Sequence, residues 1–402
     1  MQSDVTVVGA GILGLATARE LLSRHPDLKV TVLEREDEVG FHQTGHNSGV
    51  IHGGIYYAPG SLKAKLCVQG ARDMYEYCDQ HGIEAKRCGK LIVATREDEL
   101  RRLEDLEQRG AANDVPGLRR IGPEEIKELE PHARGIAALH SPATGVVDFR
   151  AVARALAEDV RSAGAEVRLG CKVVGVDAGN HNVRLRCASG EEIAAGGAVF
   201  CAGPWSDQLA LQAGAGADPR IVPFRGAYLT LRPDRADLVK ALIYPVPDPT
   251  LPFLGVHLSR HIDDEVTIGP TALLAAARDP RKRMSLADVR ATLSWPGSWK
   301  MARRWWRTGI TELKHAVSTR ALVRDAQRYV PELTADDIRP GHFGIRAQAL
   351  ARDGSLVDDF VFNQTGRVLH VRNAPSPGAT ASLAIARSIA DRLAEGAILP
   401  AG

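Results

Sequence analysis

Short apolar runs alternate with a segment of helical periodicity at the start of the chain. The run "DVTVV" (4–8) is typical of a buried strand, and "GAGILGLATARELLSRH" (9–25) has the apolar spacing of a helix that ends before Pro26. A second apolar run, "KVTVLE" (29–34), follows directly. This order of strand, helix and strand predicts a βαβ unit.

Three later segments have the pattern of strands that extend the same sheet. "RLGCKVVGVDA" (168–178) and "NVRLRCAS" (182–189) alternate like paired strands, and "GGAVFCAG" (196–203) is an apolar run that closes in a glycine. Near the end of the chain, 367–396 reads as a strand, a turn rich in glycine and proline, and a helix. We expect this last segment to return to the first domain.

A second group of β-rich segments lies between these strands. They are "CGKLIVAT" (88–95), "FRGAYLTLRP" (224–233), "PFLGVHLSR" (252–260) and "DEVTIGP" (264–270), with turn residues between them. The pattern predicts a separate antiparallel sheet that faces the substrate.

The two groups interleave along the chain, and no internal repeat or low-complexity tract interrupts them. They predict an α/β fold in which a Rossmann-like nucleotide-binding domain is interleaved with an antiparallel β-sheet substrate domain. We assign 1–85, 145–215 and 340–402 to the nucleotide-binding domain, and 86–144 and 216–339 to the substrate domain, with a basic, Trp-rich helical insertion at about 278–320.

Length and charge narrow the class of protein. A chain of 402 residues, 44% of them hydrophobic, can bury a large core and exceeds the usual size of one domain. With 51 basic and 49 acidic residues the net charge is only +2, so no overall field favours a nucleic-acid partner. The sequence gives no basis for an oligomeric state.

The cysteines and the N-terminal residues indicate the cellular compartment in which the protein works. Six cysteines are scattered without a CxxC pair or zinc-ligand spacing, which predicts a reduced, cytosolic chain without a metal site. No basic region precedes the first apolar run, and no apolar stretch reaches about 18 residues. We therefore expect neither a signal peptide nor a membrane-spanning helix, and a cytoplasmic protein.

Residues 278–307, called here the Trp-rich segment, differ in composition from the rest. They hold nine Arg or Lys residues and four of the five tryptophans. A basic, Trp-rich, partly helical stretch is typical of a helix that lies on the inner face of the cell membrane. The alternative is an insertion whose tryptophans pack on their own domain, because Trp is also common in protein cores. Both interpretations stay open.

Gly9, Gly11 and Gly14 form a GxGxxG motif between the first predicted strand and the first predicted helix. In this context the first glycine permits a tight turn, the second lets a pyrophosphate approach the backbone, and the third lets helix and strand pack closely. Glu34 ends the second strand and is placed to accept the ribose hydroxyls. An acid there disfavours a 2′-phosphate, which argues against NADP.

Two remote stretches favour FAD over NAD. "CAGPWSD" (201–207) follows a strand, and "NAPSPGATAS" (373–382) opens a helix. Such distant pieces suit a long dinucleotide that is wrapped along its length, and a helix N-terminus near the flavin pyrimidine stabilises the anionic reduced ring.

Several stretches resemble the glycine and D-amino-acid oxidase-like FAD enzymes, and within them the L-2-hydroxyglutarate oxidases and dehydrogenases. The resemblance runs nearly end to end. It is carried by "GHNSGVIHGGIYYAPGSLKAKLCVQG" (45–70), "CGKLIVA" (88–94), "TGVVDFR" (144–150), "VPFRGAYLTL" (222–231), "YPVPDPTLPFLGVHLSR" (244–260), "GIRAQALARDGSLVDDFVF" (344–362) and "HVRNAPSPGATASLAIA" (370–386).

The resemblance implies FAD as cofactor and a small dicarboxylate as substrate. The reaction it implies is oxidation of L-2-hydroxyglutarate to 2-oxoglutarate, with the C2 hydride passed to flavin N5 and electrons passed on to quinone or oxygen. Within the same fold, the alternative is an enzyme that oxidises glycine, a D-amino acid or glycerol-3-phosphate. A different class would be a flavoprotein that uses FAD only structurally.

Oxidation of a 2-hydroxy acid needs a base for the hydroxyl proton, and histidine suits neutral pH. The candidates are His257 and His52. The resemblance favours His257, because its strand lies over the flavin face in the wider family while the segment of His52 skirts the ring edge. Either histidine could instead be a hydrogen-bonded core residue. Some relatives bind flavin covalently near this segment, which leaves a flavin bond to His52 as a further alternative.

Cations must hold the substrate carboxylates. Arg346 is the candidate for the C1 carboxylate, because a guanidinium matches a carboxylate bidentately. Lys63 and Lys65 are candidates for the second carboxylate, although lysines are more often solvated surface charges. Tyr57 and Gln348 complete the expected substrate-binding set.

The expected cofactor-binding residues come from four parts of the sequence: the glycine motif and Glu34, the stretch that begins at Gly45, the strand before Cys201, and the late turn. For His46 and Asn47 the alternative is that they only shape the turn. The set is Gly9, Gly11, Gly14, Glu34, Arg35, His46, Asn47, Ser48, Gly49, Val173, Ala202, Gly203, Ser376, Gly378, Ala379 and Thr380.

Overall fold

The computed structural model describes residues 2–179, 181–249, 251 and 253–399, and two large β-sheets organise them. The helices are α1 (Ile12–Arg24), α2 (Leu62–Gln80), α3 (Leu100–Ala112), α4 (Pro123–Leu129), α5 (Phe149–Ser162), α6 (Ser206–Gln212), α7 (Leu286–Leu293), α8 (Pro296–Arg304), α9 (Trp306–Val317), α10 (Thr319–Ala326) and α11 (Ser382–Glu395). The strands are β1 (Gln2–Val8), β2 (Val30–Leu33), β3 (Val50–Ile51), β4 (Ala85–Lys86), β5 (Lys90–Ala94), β6 (Arg119–Ile121), β7 (Ala137–Ser141), β8 (Gly145–Val147), β9 (Glu166–Arg168), β10 (Val173–Ala178), β11 (Val183–Cys187), β12 (Glu192–Phe200), β13 (Arg220–Leu231), β14 (Leu242–Pro245), β15 (His257–Arg260), β16 (Val266–Gly269), β17 (Leu273–Leu274), β18 (Ile338–Leu350), β19 (Val361–Thr365) and β20 (Val368–Asn373).

The first sheet has the order β10-β11-β12-β1-β2-β9, with β20 beside the end of β12 and β19 beside β20. Strand β1 is parallel to both β2 and β12, as a βαβ unit requires. Val5, Val7 and Val32 are fully buried, because helices cover a parallel sheet of this kind. The predicted βαβ unit, the three later strands and the returning C-terminal segment are confirmed.

The second sheet has the order β17-β13-β16-β15-β14-β5-β7-β6, with β18 beside β13. Its pairs are antiparallel, as predicted, except that β5 and β14 run parallel. Strand β18 pairs with β13 from Leu350 opposite Arg220 to Ile338 opposite Leu231. The residues from 340 to 350 thus lie in the second sheet, although we assigned them to the nucleotide-binding domain. The division into domains stays a prediction.

The Trp-rich segment begins at a buried arginine and continues as short helices, α7 to α9. The Arg278 guanidinium lies 2.5 Å from one Asp207 oxygen and 3.3 Å from Asp288, and it also donates to the carbonyl oxygen of Ile221 at 3.0 Å. Asp207 lies in α6, beside the first sheet. The start of the segment is therefore fixed in the protein interior by charge-assisted hydrogen bonds.

Cys171, just before β10, and Cys187, the last residue of β11, form a disulfide with 5.8 Å between their Cα atoms. The prediction of a fully reduced chain is wrong for this pair. A sequence spacing of 16 residues says nothing about the register of β10 and β11, which brings Cys187 opposite Val173. None of the described helices is long and apolar enough to cross a membrane.

Candidate active site

A cavity of about 960 Å³ is lined by residues of both large sheets. At one end lie the turn after β1 and the end of β2. At the other lie β15 and β18, with the stretch that contains His52 and Tyr57 between them. Such a long cavity suits a dinucleotide with a small substrate beyond it.

The glycine motif forms one wall of this cavity. Gly9 has φ +108°, and a Cβ there would lie 2.4 Å from the carbonyl oxygen of Cys201, so only glycine fits. A Cβ on Gly14 would lie 1.8 Å from the Gly9 oxygen, which explains the close packing of α1 on β1. Gly11 lines the cavity as the N-cap of α1, and the Thr44 hydroxyl accepts a hydrogen bond from the Ile12 amide at 3.0 Å. The first turn of α1 lines the cavity, and a helix N-terminus favours a phosphate.

The acid at the end of β2 is held by the backbone. Glu34 is buried, and its two carboxylate oxygens accept from the amides of Ala10 at 2.8 Å and Glu36 at 3.0 Å. Burial raises its pKa, while these two amides oppose that shift. Beside it, the Arg35 guanidinium lies 3.8 Å from the centroid of the Trp205 ring. Both Glu34 and Arg35 line the cavity, where the motif predicts the ribose.

The stretch from Phe41 to Gly49 wraps the next part of the cavity. The Asn47 amide donates to the carbonyl oxygens of Gln43 and Thr44 at 3.1 and 2.7 Å, and its oxygen accepts from Gly49 N at 2.7 Å. All polar groups of the Asn47 side chain are thus used within the turn, which favours a shaping role. His46 and Ser48 line the cavity, whereas Gly49 does not.

The late turn closes the same wall. The Thr380 hydroxyl donates to the Val50 oxygen at 3.2 Å and accepts from His52 N at 3.1 Å, so it joins the turn before α11 to β3. The sequence does not show this contact between distant segments.

The remaining expected cofactor residues also line the cavity: Val173, Ala202, Gly203, Ser376, Gly378, Ala379 and Thr380.

These features fit FAD. A glycine-only turn, a helix N-terminus and a buried carboxylate follow one another along the wall, which is the order of groups that a dinucleotide needs. The backbone stretches near His46 and Gly378 then continue the wall toward the second sheet. Gly14 acts by packing alone, since it does not line the cavity.

His257 is buried on β15, and its protonation is constrained. Its Nδ1 lies 2.9 Å from the carbonyl oxygen of Gly255, which can only accept, so Nδ1 carries the proton and Nε2 keeps its lone pair. Burial lowers the pKa of His257 to about 3, with help from Lys90 and Arg346. Its ring stacks on Tyr244 with 4.1 Å between centroids. His257 is thus a neutral imidazole with a fixed tautomer.

His52 lines the same cavity with a weaker hydrogen bond. Its Nε2 lies 3.4 Å from the Ser376 hydroxyl, and either atom can be the donor. Burial lowers the pKa of His52 to about 3, followed in importance by Lys90. The structure brings both candidate histidines into one site and fixes the tautomer of His257 more firmly.

The predicted cations differ in their surroundings. Arg346 lines the cavity from β18, and no carboxylate pairs with it within the described ranges. Lys63 is buried in the cavity wall, but its ammonium lies 2.9 Å from Asp358 and 4.8 Å from the centroid of the Tyr57 ring. Lys65 is exposed on α2 and does not line the cavity. Its expected role in substrate binding does not fit this placement, because two positions along a helix turn a side chain by about 200° relative to Lys63.

Gln348 and Tyr57 both line the cavity, and their role in substrate binding stays a prediction. The Gln348 amide donates to the carbonyl oxygen of Ala349 at 3.1 Å. Sequence reasoning missed three cavity-side groups: Lys90, Tyr56 and Tyr244. Lys90 could have been noticed as a lysine at the start of "KLIVA", a strand that is otherwise apolar.

Comparisons with known proteins show the family of this chain. A model of the DAO family, described as FAD dependent oxidoreductase, matches residues 4–392. The mitochondrial L-2-hydroxyglutarate dehydrogenase of Homo sapiens is 48% identical over 97% of this chain and 88% of its own length. The L-2-hydroxyglutarate dehydrogenase of Indibacter alkaliphilus is 41% identical over 97% of this chain and 98% of its own length.

The fold is also that of a solved flavoenzyme. L-alpha-glycerophosphate oxidase from Mycoplasma pneumoniae, reduced with dithionite and with FAD bound, superimposes with a TM-score of 0.79. That comparison covers 98% of this chain and 95% of the other at 24% identity, so it bears on the fold alone. From its cavity, its glycine motif and its relatives, the chain belongs to the FAD-dependent oxidoreductase (DAO) family, in the group of the L-2-hydroxyglutarate dehydrogenases.

Proposed function

We propose that this chain oxidises L-2-hydroxyglutarate to 2-oxoglutarate. The observation that carries the proposal is that one cavity holds a neutral histidine of fixed tautomer, His257, and an arginine without a carboxylate partner in the described part of the chain, Arg346. A 2-hydroxy acid needs both groups at once. The names of the relatives at 41–48% identity supply the substrate.

Each residue has a separate task in this reaction. FAD, when bound, supplies the acceptor for the C2 hydride. Nε2 of His257 takes the proton of the substrate hydroxyl, because the Gly255 carbonyl holds the proton on Nδ1 and leaves the Nε2 lone pair available. The Arg346 guanidinium grips the C1 carboxylate and orients C2. The rings of Tyr228 and Tyr244 line this end of the cavity and keep water from the reacting atoms.

An anaerobic substrate screen tests the proposal. L-2-hydroxyglutarate is expected to bleach the flavin absorbance of the loaded protein, because the site can deprotonate its hydroxyl while binding its carboxylate. D-2-hydroxyglutarate, glycine and glycerol-3-phosphate serve as matched controls, and we expect no bleaching with them. Bleaching by glycine or glycerol-3-phosphate alone would move the chain to the alternative activity, and no bleaching by any of them would end the enzyme hypothesis.

The electron acceptor is part of the proposal. Helix α9 has no buried residue, and one of its faces is apolar. The spacing of four exposed side chains places them on that face, with Arg303, Arg304 and Lys314 nearby. These side chains, called here the α9 stripe, are Trp306 (56% exposed), Ile310 (46%), Leu313 (55%) and Val317 (77%).

We propose that the α9 stripe lies on the cytoplasmic face of a membrane and that electrons leave for its quinone pool. An exposed apolar face with a basic rim suits an anionic lipid surface. Trp299 is also exposed, whereas Trp295 is buried and donates to the Leu350 oxygen at 3.0 Å. The buried Trp295 fits an insertion that packs on its own domain, whereas the exposed Trp299 and Trp306 fit a helix on a membrane surface.

Vesicle binding tests this placement. The protein is expected to sediment with anionic vesicles at low salt and to release as salt rises, because basic residues contribute electrostatically. Changing Leu313→Glu together with Val317→Glu should weaken this binding by about tenfold or more. Ile136→Glu, a change at an exposed apolar residue outside the stripe, is the control. Absence of binding at low salt would contradict the membrane proposal.

A further inference from the structure

A buried lysine lies behind the wall of the substrate end of the cavity. Lys90 opens β5, where it pairs with Leu242 of β14, and only 2% of its surface is exposed. Its ammonium is 4.4 Å from the centroid of the Tyr56 ring and 3.9 Å from that of Tyr244. Both tyrosines line the cavity, so the charge lies close behind its wall.

No carboxylate neutralises Lys90 within the described ranges. Its aromatic and titratable neighbours come from four elements: Tyr244 of β14, His257 of β15, His52 and Tyr56 of the 52–57 stretch, and Cys67 of α2. Cys67 does not supply a negative charge, because burial raises its pKa to about 12. An ammonium buried with only aromatic faces around it is costly. Such a group needs an anion from elsewhere, or it loses its proton.

The other charges near the site are already matched or differently placed. Lys63 of α2 has Asp358 at 2.9 Å. Arg346 of β18 faces the cavity without a carboxylate partner in the described residues and is assigned to the C1 carboxylate. A dicarboxylate brings two negative charges into this space. Lys90 is then the second cation that lacks a partner.

We propose that Lys90, held against the rings of Tyr56 and Tyr244, is the specificity-determining cation for the second carboxylate of the substrate, and that it becomes protonated when a dicarboxylate binds. This inference rests on the proposed function for the identity of the substrate. It also replaces Lys65, which is exposed, in the role predicted from the sequence.

Whether Lys90 takes up or releases a proton on binding follows from the linkage between protonation and ligand binding. Burial lowers the pKa of Lys90 to about 7 in the free protein. A bound dianion favours the charged form and raises that pKa, so binding above pH about 7 takes up a proton. Affinity for a dicarboxylate then falls as pH rises, by up to about tenfold per unit. His52 and His257 do not contribute there, since burial lowers the pKa of each to about 3.

Calorimetry of 2-oxoglutarate binding to the FAD-loaded protein tests the proposal. Titrations at pH about 8 in buffers of different ionisation enthalpy count the protons, and we expect uptake of about one in the unchanged protein. Lys90→Met is expected to abolish that uptake and to weaken 2-oxoglutarate binding by about tenfold or more at pH about 6.5. Binding of 2-oxobutyrate, which lacks the second carboxylate, should change much less.

Two further variants make the outcome decisive. Lys90→Arg keeps a permanent charge and should bind 2-oxoglutarate without proton uptake. Lys65→Met, at the exposed lysine, should leave the uptake as it is. Equal losses of 2-oxoglutarate and 2-oxobutyrate affinity in Lys90→Met, or unchanged proton uptake, would overturn the inference. Because these are binding measurements, they are separate from flavin bleaching by L-2-hydroxyglutarate, whose absence would overturn the proposed function instead.

Discussion

His257→Gln is expected to lower the rate of flavin reduction by L-2-hydroxyglutarate by about 10²- to 10⁴-fold, the usual contribution of a positioned general base. Glutamine keeps a polar side chain of similar reach, but it cannot take the hydroxyl proton. Anaerobic stopped-flow measurement of the flavin absorbance gives this rate, and the bound FAD is measured in the same sample.

His261→Gln is the matched control for this substitution. His261 follows β15 closely, is held by the Thr267 hydroxyl at 2.8 Å, and does not line the cavity. The two candidate bases are separated by testing His52→Gln in parallel. A large loss of rate in His52→Gln with little change in His257→Gln would exchange their roles.

The pH dependence of kcat/KM also tests whether His257 is the base. A base must be unprotonated, and the pKa of His257 is lowered to about 3, so no acid limb is expected near the ordinary histidine range. An acid limb of kcat/KM close to pH 6.5 would contradict a buried, neutral His257. A fall of kcat/KM on the alkaline side of pH about 7 belongs instead to Lys90, and Lys90→Met should remove it.

Arg346→Lys is expected to raise the KM for L-2-hydroxyglutarate by about tenfold or more while FAD stays bound. A lysine keeps the charge but loses the bidentate match to a carboxylate, and tenfold corresponds to about 1.4 kcal/mol. Steady-state kinetics with an artificial electron acceptor measure KM and kcat separately.

A second arginine on β18 offers a control for the same change. Arg339 is exposed and pairs with Glu265 at the far end of the strand, outside the cavity. Arg339→Lys should leave both kinetic constants as they are. If Arg346→Lys behaved like Arg339→Lys, Arg346 would be removed from the substrate site.

Local patterns were enough to predict much of this fold. The βαβ unit, the β-hairpin of β10 and β11 and the segments of the second sheet each depend on periodicity within about ten residues. The glycine motif was equally evident from the sequence. Gly14 meets the Gly9 oxygen within the same turn, whereas the contact of Gly9 with the Cys201 oxygen depends on the neighbouring strand β12.

What the sequence could not supply depends on contacts between distant segments. The burial of Lys90 arises from a parallel pairing with β14, more than 150 positions along the chain. The partner of Lys63 is Asp358, and that of Cys171 is Cys187. Lys65 was misplaced because two lysines two positions apart look alike in a sequence, although a helix turns them to different environments.

The insertion that carries the α9 stripe is held at both ends. Arg278 fixes its start in the interior through Asp207, and His315 joins α9 to Asp325 of α10 at 3.1 Å. The Ala272 amide also donates to Glu312 at 2.6 Å. A surface that binds this stripe therefore has little chain to order, so little conformational entropy is lost on contact. The α9 stripe would therefore bind a surface as a preformed face. The fold also sets the distance between the stripe and the flavin cavity in advance.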